Sequence, residues 1–145
     1  MKCVFIFAIL VLRTTRGDEL SNRDSHQDDE LSDRDRHRIA LKCIGQVGID
    51  ERVVEEAIRG NIPENDIKYK NFLACSYKKQ GYMNEDGIIL IENVKKFLNR
   101  FYNISDLKVI NVCSGRDGPN HSENAFKAMK CIIDQIKNLK VVNDD

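Results

Sequence analysis

Cysteine is the residue type with the most chemistry to offer in this chain, at positions 3, 43, 75, 113 and 131. A thiol can act as a nucleophile, ligate a metal or form half of a crosslink, and the compartment decides which. Cys3 belongs to an opening pattern of Met1-Lys2, an apolar run over 3–12 and the small residues Thr15 and Gly17. That is the pattern of a secretory signal cleaved after Gly17, and an apolar run of this length is too short to span a bilayer. Export would remove Cys3 and leave Cys43, Cys75, Cys113 and Cys131. An even number in an exported chain implies two disulfides, and the count alone permits three pairings. Crosslinking would use every remaining thiol, so no cysteine nucleophile is expected.

The other reactive residue types form no site. Asn84-Glu85-Asp86-Gly87 hints at a calcium loop, but its first ligand position would be Tyr82 and its twelfth Asn93, so both terminal acids are missing. His26, His37 and His121 have no HExxH or CxxC context, which argues against zinc. There is no glycine-rich phosphate loop and no G-x-S-x-G elbow, so the sequence recommends neither an enzyme nor a cofactor. The chain has 23 basic and 23 acidic residues, and residues 1–17 contain Lys2, Arg13 and Arg16 but no acid. The mature chain is therefore acidic by about three charges, which argues against a nucleic-acid partner. Two glycosylation sequons, Asn103-Ile104-Ser105 and Asn120-His121-Ser122, also sit where helix caps belong.

The element that organises the rest is the stretch 68–87, KYKNFLACSYKKQGYMNEDG. Tyr69, Phe72, Leu73, Ser76, Tyr77 and Gln80 follow the spacing of a helix with one buried stripe, and Cys75 gives that helix one end of a covalent tie. Gly81 ends it in the left-handed conformation and residues 84–87 turn the chain. Upstream, residues 18–38 alternate acids and bases around only Leu20 and Leu31. Such a segment cannot offset its ordering entropy by burial, and it reads as a solvated, largely disordered arm that becomes helical near Ser32. The pattern Ile39, Leu41, Cys43, Ile44 and Val47 predicts a first helix over 33–47. Asp50 caps a second over 51–59, and the central helix covers 64–80. A fourth is expected over 88–101. The β-branched run 88–91 could form a strand, but no partner strand is evident, so helix is favoured. Residues 107–113, with Ser105 or Asn103 as cap, form a fifth. After a loop at 115–119, Ser122 caps a sixth over 123–137. The apolar Leu139, Val141 and Val142 follow it.

The cysteine spacings carry the specific signal. Thirty-one residues separate Cys43 from Cys75, 37 separate Cys75 from Cys113 and 17 separate Cys113 from Cys131. In these spacings, and in segments 78–87 and 124–131, the chain resembles the insect odorant-binding protein family of the pheromone and general odorant-binding type. The two cysteines which that family bonds to each other correspond here to Asn71 and Ser122. The resemblance is therefore to the minus-C, four-cysteine subclass, and it implies Cys43–Cys75 and Cys113–Cys131. Each tie should restrict the unfolded chain by about 3–4 kcal/mol, while the third and sixth helices, lacking theirs, should separate more easily than in six-cysteine relatives.

The resemblance implies an all-α fold: about six short helices stapled by two disulfides around an internal apolar pocket, over residues 33–142, after a signal at 1–17 and a charged arm at 18–32. It implies a secreted, non-enzymatic carrier of a small hydrophobic ligand, an odorant, pheromone or lipid-like molecule. Relative to the family's lining sites, the pocket positions are Ile39, Leu73, Tyr77, Tyr82, Ile89, Phe97, Phe101, Ile132 and Val142, with the Tyr77 and Tyr82 hydroxyls orienting the ligand's polar end. No metal or other cofactor is implied. Further partners would be a membrane chemoreceptor or a second copy of the chain. The tail, through Val141 and Val142, would cover the pocket mouth, with Asp144 and Asp145 loosening it on acidification. The competing class is a secreted helical interaction protein with a packed core, which the charged arm favours.

Overall fold

The computed structural model describes residues 32–114 and 118–141. The expected signal segment, the expected arm up to residue 31, part of the loop at 115–117 and Val142 with the acidic tail end lie outside the described residues. The chain forms α1 (Asp33–Val47), α2 (Glu51–Ile58), α3 (Ile67–Gln80), α4 (Ile91–Leu98), a 3-10 helix (Asp106–Cys113) and α5 (His121–Ile136). This is the expected all-α architecture.

Local chemistry sets the helix ends. Ser32 accepts a hydrogen bond from the Asp35 amide while the Asp35 carboxylate accepts one from the Ser32 amide, a reciprocal cap that starts α1. Asp50 caps α2 as expected, accepting from Arg52 N at 2.9 Å. Gly81, with φ of 88°, ends α3 where a side chain would be strained.

Several elements depart from the sequence reading, the largest differences being in the central, fourth, fifth and last. The central helix begins at Ile67 rather than at 64, because the Asp66 carboxylate captures the Tyr69 amide at 3.0 Å and so takes the cap. Ser122 does not cap the last helix. Asn120 does, accepting from Glu123 N at 2.9 Å, while the Ser122 hydroxyl donates to the Asn71 side chain. The fourth helix covers Ile91–Leu98 instead of 88–101. Ile89 is held extended in an antiparallel bridge with Met83, so the partner for the β-branched run lies just across the turn. The fifth element is a 3-10 helix, and its tighter winding suits a three-residue spacing. Leu107, Ile110 and Cys113 therefore share one fully buried edge.

Helix α3 lies at the centre. Its buried face is Tyr69, Phe72, Leu73, Ala74, Ser76, Tyr77 and Gln80, and it packs most extensively on α5 and next on α1. The 3-10 helix packs on α5 and α4. Cys43–Cys75 ties α1 to α3 and Cys113–Cys131 ties the 3-10 helix to α5, with Cα separations of 5.8 and 5.7 Å. These are the pairings the family resemblance implies.

No covalent tie joins α3 to α5, and weaker links stand in its place. Besides the Ser122–Asn71 hydrogen bond, Lys70 Nζ pairs with Glu123 at 2.9 Å and Lys130 Nζ with Glu64, just before α3, at 2.7 Å. The Tyr69 hydroxyl reaches Met129 Sδ at 3.6 Å. Such links contribute about 0–1 kcal/mol each. The double substitution Asn71→Cys with Ser122→Cys should therefore oxidise spontaneously and raise stability. The new disulfide would bridge a sequence separation of 51 residues, worth at most about 4 kcal/mol by loop entropy. Thiol titration and denaturant unfolding read the outcome. Two free thiols persisting after oxidative refolding would show that the positions do not face each other.

Candidate functional site

The turn after α3 folds back on that helix and gathers aromatic residues. Because Gly81 adopts the left-handed conformation, the amides of Tyr82 and Met83 return to Tyr77 O at 2.8 and 3.2 Å. Tyr82 thus lies against Tyr77, with ring centroids 6.1 Å apart. The Asn84 side chain accepts from the amides of Asp86 and Ile88 at 2.9 and 3.0 Å, so it holds the turn. Leu90 N then bonds to Tyr82 O at 2.8 Å and sets the start of α4. Phe97, on α4, returns to within 6.0 Å of Tyr82, and Phe101 stands 5.8 Å from Phe97. Tyr77, Tyr82, Phe97 and Phe101 form one continuous row.

These four are among the positions expected to contact a ligand. Of the others, Leu73, Ile89 and Ile132 are buried in the same core, Ile39 is half-buried against it, and Val142 lies outside the described residues. Leu73 is one helical turn before Tyr77 on α3. Ser76 is also buried, and its hydroxyl has no hydrogen-bond partner among the described residues. The turn docks on α5, where Asn124 Nδ2 donates to Gly87 O at 3.0 Å and any Cβ at Gly87 would run into the His121 ring. Among the described residues no group of three or more His, Cys, Asp or Glu side chains could hold a metal.

Arg36 was missed by sequence reasoning, which places it in the solvated charge run. It is 3% exposed, its guanidinium carbon lies 4.3 Å from the Phe97 centroid, and its Nη2 donates to the Tyr82 hydroxyl at 3.4 Å. The available signal was periodicity. Arg36 precedes Ala40 by four residues and Cys43 by seven, and both are buried on α1. Outside this interior, a groove of about 450 Å³ lies over the α3–α5 crossing, lined by Ile67, Lys70, Asn71, Asn120, His121, Ser122 and Glu123. It includes none of the nine expected ligand positions. Its rim carries a Lys78 Nζ to His121 Nδ1 contact of 2.7 Å.

Residues 26–135 match the family model described as the PBP/GOBP family. General odorant-binding protein 69a of Drosophila melanogaster is 21% identical over 96 residues, which are 66% of this chain and 65% of that protein. The chain thus spans slightly less than two thirds of that relative. The B1 protein of Tenebrio molitor is 29% identical over 97 residues, 65% of this chain and 72% of that protein. Among solved structures, the medfly odorant-binding protein CcapOBP22/CcapOBP69a aligns with a TM-score of 0.55 at 24% identity, covering 69% of this chain and 86% of its own. Odorant-binding protein dmelOBP28a from Drosophila melanogaster aligns with a TM-score of 0.59 at 21% identity, covering 70% and 89%. At these identities the structural likeness shows the shared fold.

Burial also sets the protonation of the interior phenols. It pushes Tyr69 and Tyr77 above the ordinary tyrosine value, and for Tyr77 the neighbouring Tyr69 and Tyr82 add to the effect. In the unfolded chain both would ionise near pH 10. The folded state keeps their protons longer, so this stability is fully present below about pH 10 and is lost as pH rises above it. Phenolate absorbance from Tyr69 and Tyr77 should therefore emerge together with loss of the helical circular dichroism signal. Titration of every tyrosine near pH 10 with the helices intact would contradict their burial.

Proposed function

Because the chain belongs to the PBP/GOBP family of odorant-binding proteins, which are carriers and not enzymes, we propose that it binds a small hydrophobic molecule inside its helical shell. The ligand would be an odorant, a pheromone or a lipid-like compound. The observation that carries this reading is the row of Tyr77, Tyr82 and Phe97, all buried, and the half-buried Phe101, assembled from α3, the turn, α4 and the residues after α4. Ile39, Leu73, Ile89, Ile132 and Val142 complete the proposed lining. Burying apolar surface supplies about 25 cal/mol per Å², and one or two hydroxyls then fix orientation.

The same reading makes residues 1–17 a signal peptide, residues 18–32 a charged arm and the mature chain a secreted protein of the minus-C subclass. Among the described residues no helix is long and apolar enough to cross a membrane. A membrane chemoreceptor or a second copy of the chain would be its further partner.

Small apolar compounds should displace N-phenylnaphthylamine, a probe whose fluorescence reports an apolar environment, with saturable competition. Changing Tyr77 and Tyr82 together to Phe should alter affinity and the order of preference among compounds with a polar end. A protein that takes up no probe would instead belong to the packed interaction class.

A further inference from the structure

The two glycosylation sequons are not equivalent once the chain is folded. At Asn120-His121-Ser122 both polar side chains have structural work. Asn120 Oδ1 accepts from Glu123 N at 2.9 Å to start α5, and the Ser122 hydroxyl donates to the Asn71 side chain. Asn120 also lines the groove over the α3–α5 crossing, beside His121, whose ring lies close against Gly87. A saccharide on this amide would have to share the groove with the paired Lys70 and Glu123. Capping therefore accounts for this sequon.

It does not account for the other. Asn103, Ile104, Ser105 and Asp106 are consecutive exposed residues in the connection between α4 and the 3-10 helix. Ser105 stands at the N-cap position of that helix but makes no side-chain cap bond. The amides of Asp106 and Leu107 meet the Asn103 backbone carbonyl, at 2.9 and 3.2 Å, and the Asn103 carboxamide has no hydrogen-bond partner among the described residues. Ile104, between the two sequon residues, is 51% exposed, so burial does not hold this segment either. Tyr102 before it and Leu107 after it are both buried and fix its two ends. A bulky hydrophilic group attached at Asn103 would displace no packed side chain, which is the setting an N-linked glycan requires.

We propose that Asn103 carries an N-linked oligosaccharide and that Asn120 does not. Asn103 Nδ2 forms a bond to the anomeric carbon of an oligosaccharide held on a polyprenyl diphosphate. The bond from that carbon to the diphosphate oxygen breaks, the diphosphate leaves with the electron pair, and Nδ2 gives up one proton, with no change of oxidation state. The donor and its transferase belong to the export route, so this rests on the reading of residues 1–17 as a secretory signal.

The test is expression of the full chain, residues 1–145, in insect cells, with intact mass measured before and after treatment with a peptide amidase that releases N-glycans. The protein in the medium should exceed its sequence mass by one oligosaccharide, and the amidase should remove the excess and convert Asn103 to the acid. Asn103→Gln and, separately, Ser105→Ala should each lose the whole excess, while Asn120→Gln should keep it. Ser105→Ala retains the Asn103 side chain and removes no cap bond, so it decides the matter even if Asn103→Gln fails to fold. Secretion at the unmodified mass overturns this inference and leaves the export reading standing. An excess that survives Ser105→Ala and disappears in Asn120→Gln also overturns it, by placing the glycan on the capping residue. A chain that stays inside the cells at its unprocessed, unmodified mass overturns the export reading, and this inference with it.

Discussion

The structure depends on the burial of one face of α3 between α5 and α1. Tyr69, Phe72, Leu73, Tyr77 and Gln80 cannot be covered by either neighbour alone. A chain this short, with helices of 8 to 16 residues, has little core to spare, and its two disulfides offset that by restricting the unfolded ensemble. They are also placed economically. One pins α1 to α3 and the other pins the 3-10 helix to α5, so each covalent tie joins a peripheral element to one of the two central helices. The contact between the two central helices is left to packing and polar links.

That division gives the α3–α5 crossing its character. Asn71 and Ser122 meet across it through a hydrogen bond. The partly buried Lys70–Glu123 pair and the outer Lys130–Glu64 pair lie along the same seam. Polar groups at a helix crossing need partners more than they supply energy, so such a seam specifies register while adding little stability. The groove over the crossing is lined by several of the same residues. It is a surface feature, separate from the aromatic interior.

The interior joins two kinds of surface that usually stay apart. Tyr77, Tyr82, Phe97 and Phe101 offer apolar faces at ring separations typical of favourable edge and tilted contacts. Arg36 inserts a cation against that row, its charge spread over the Phe97 face and one N–H directed to Tyr82. The turn from Gly81 to Leu90 makes this geometry possible, because its backbone bonds to the Tyr77 and Tyr82 carbonyls fold the chain back so that the two side chains start close together.

Much of this was legible in the residues themselves. Helical periodicity exposed the stripe of α3, Gly81 and Asp50 marked helix ends, and the cysteine spacings led to the family whose pairings the chain adopts. These signals are local or depend on counting, which a linear chain preserves. Other features required three dimensions. The extended backbone at Ile89 depends on Met83 across a turn. The release of Ser122 from capping depends on Asn71, 51 residues away. Above all, the side of α1 that faces inward is set by Cys43 and Ala40 packing against the core, and that rotation carries Arg36 inside with them. A run of alternating charges looks solvated on every side when read in one dimension. Tertiary packing chose which of those charges would leave water, because residues four and seven positions apart on a helix lie on the same face, and on α1 that face is the one carrying Ala40 and Cys43.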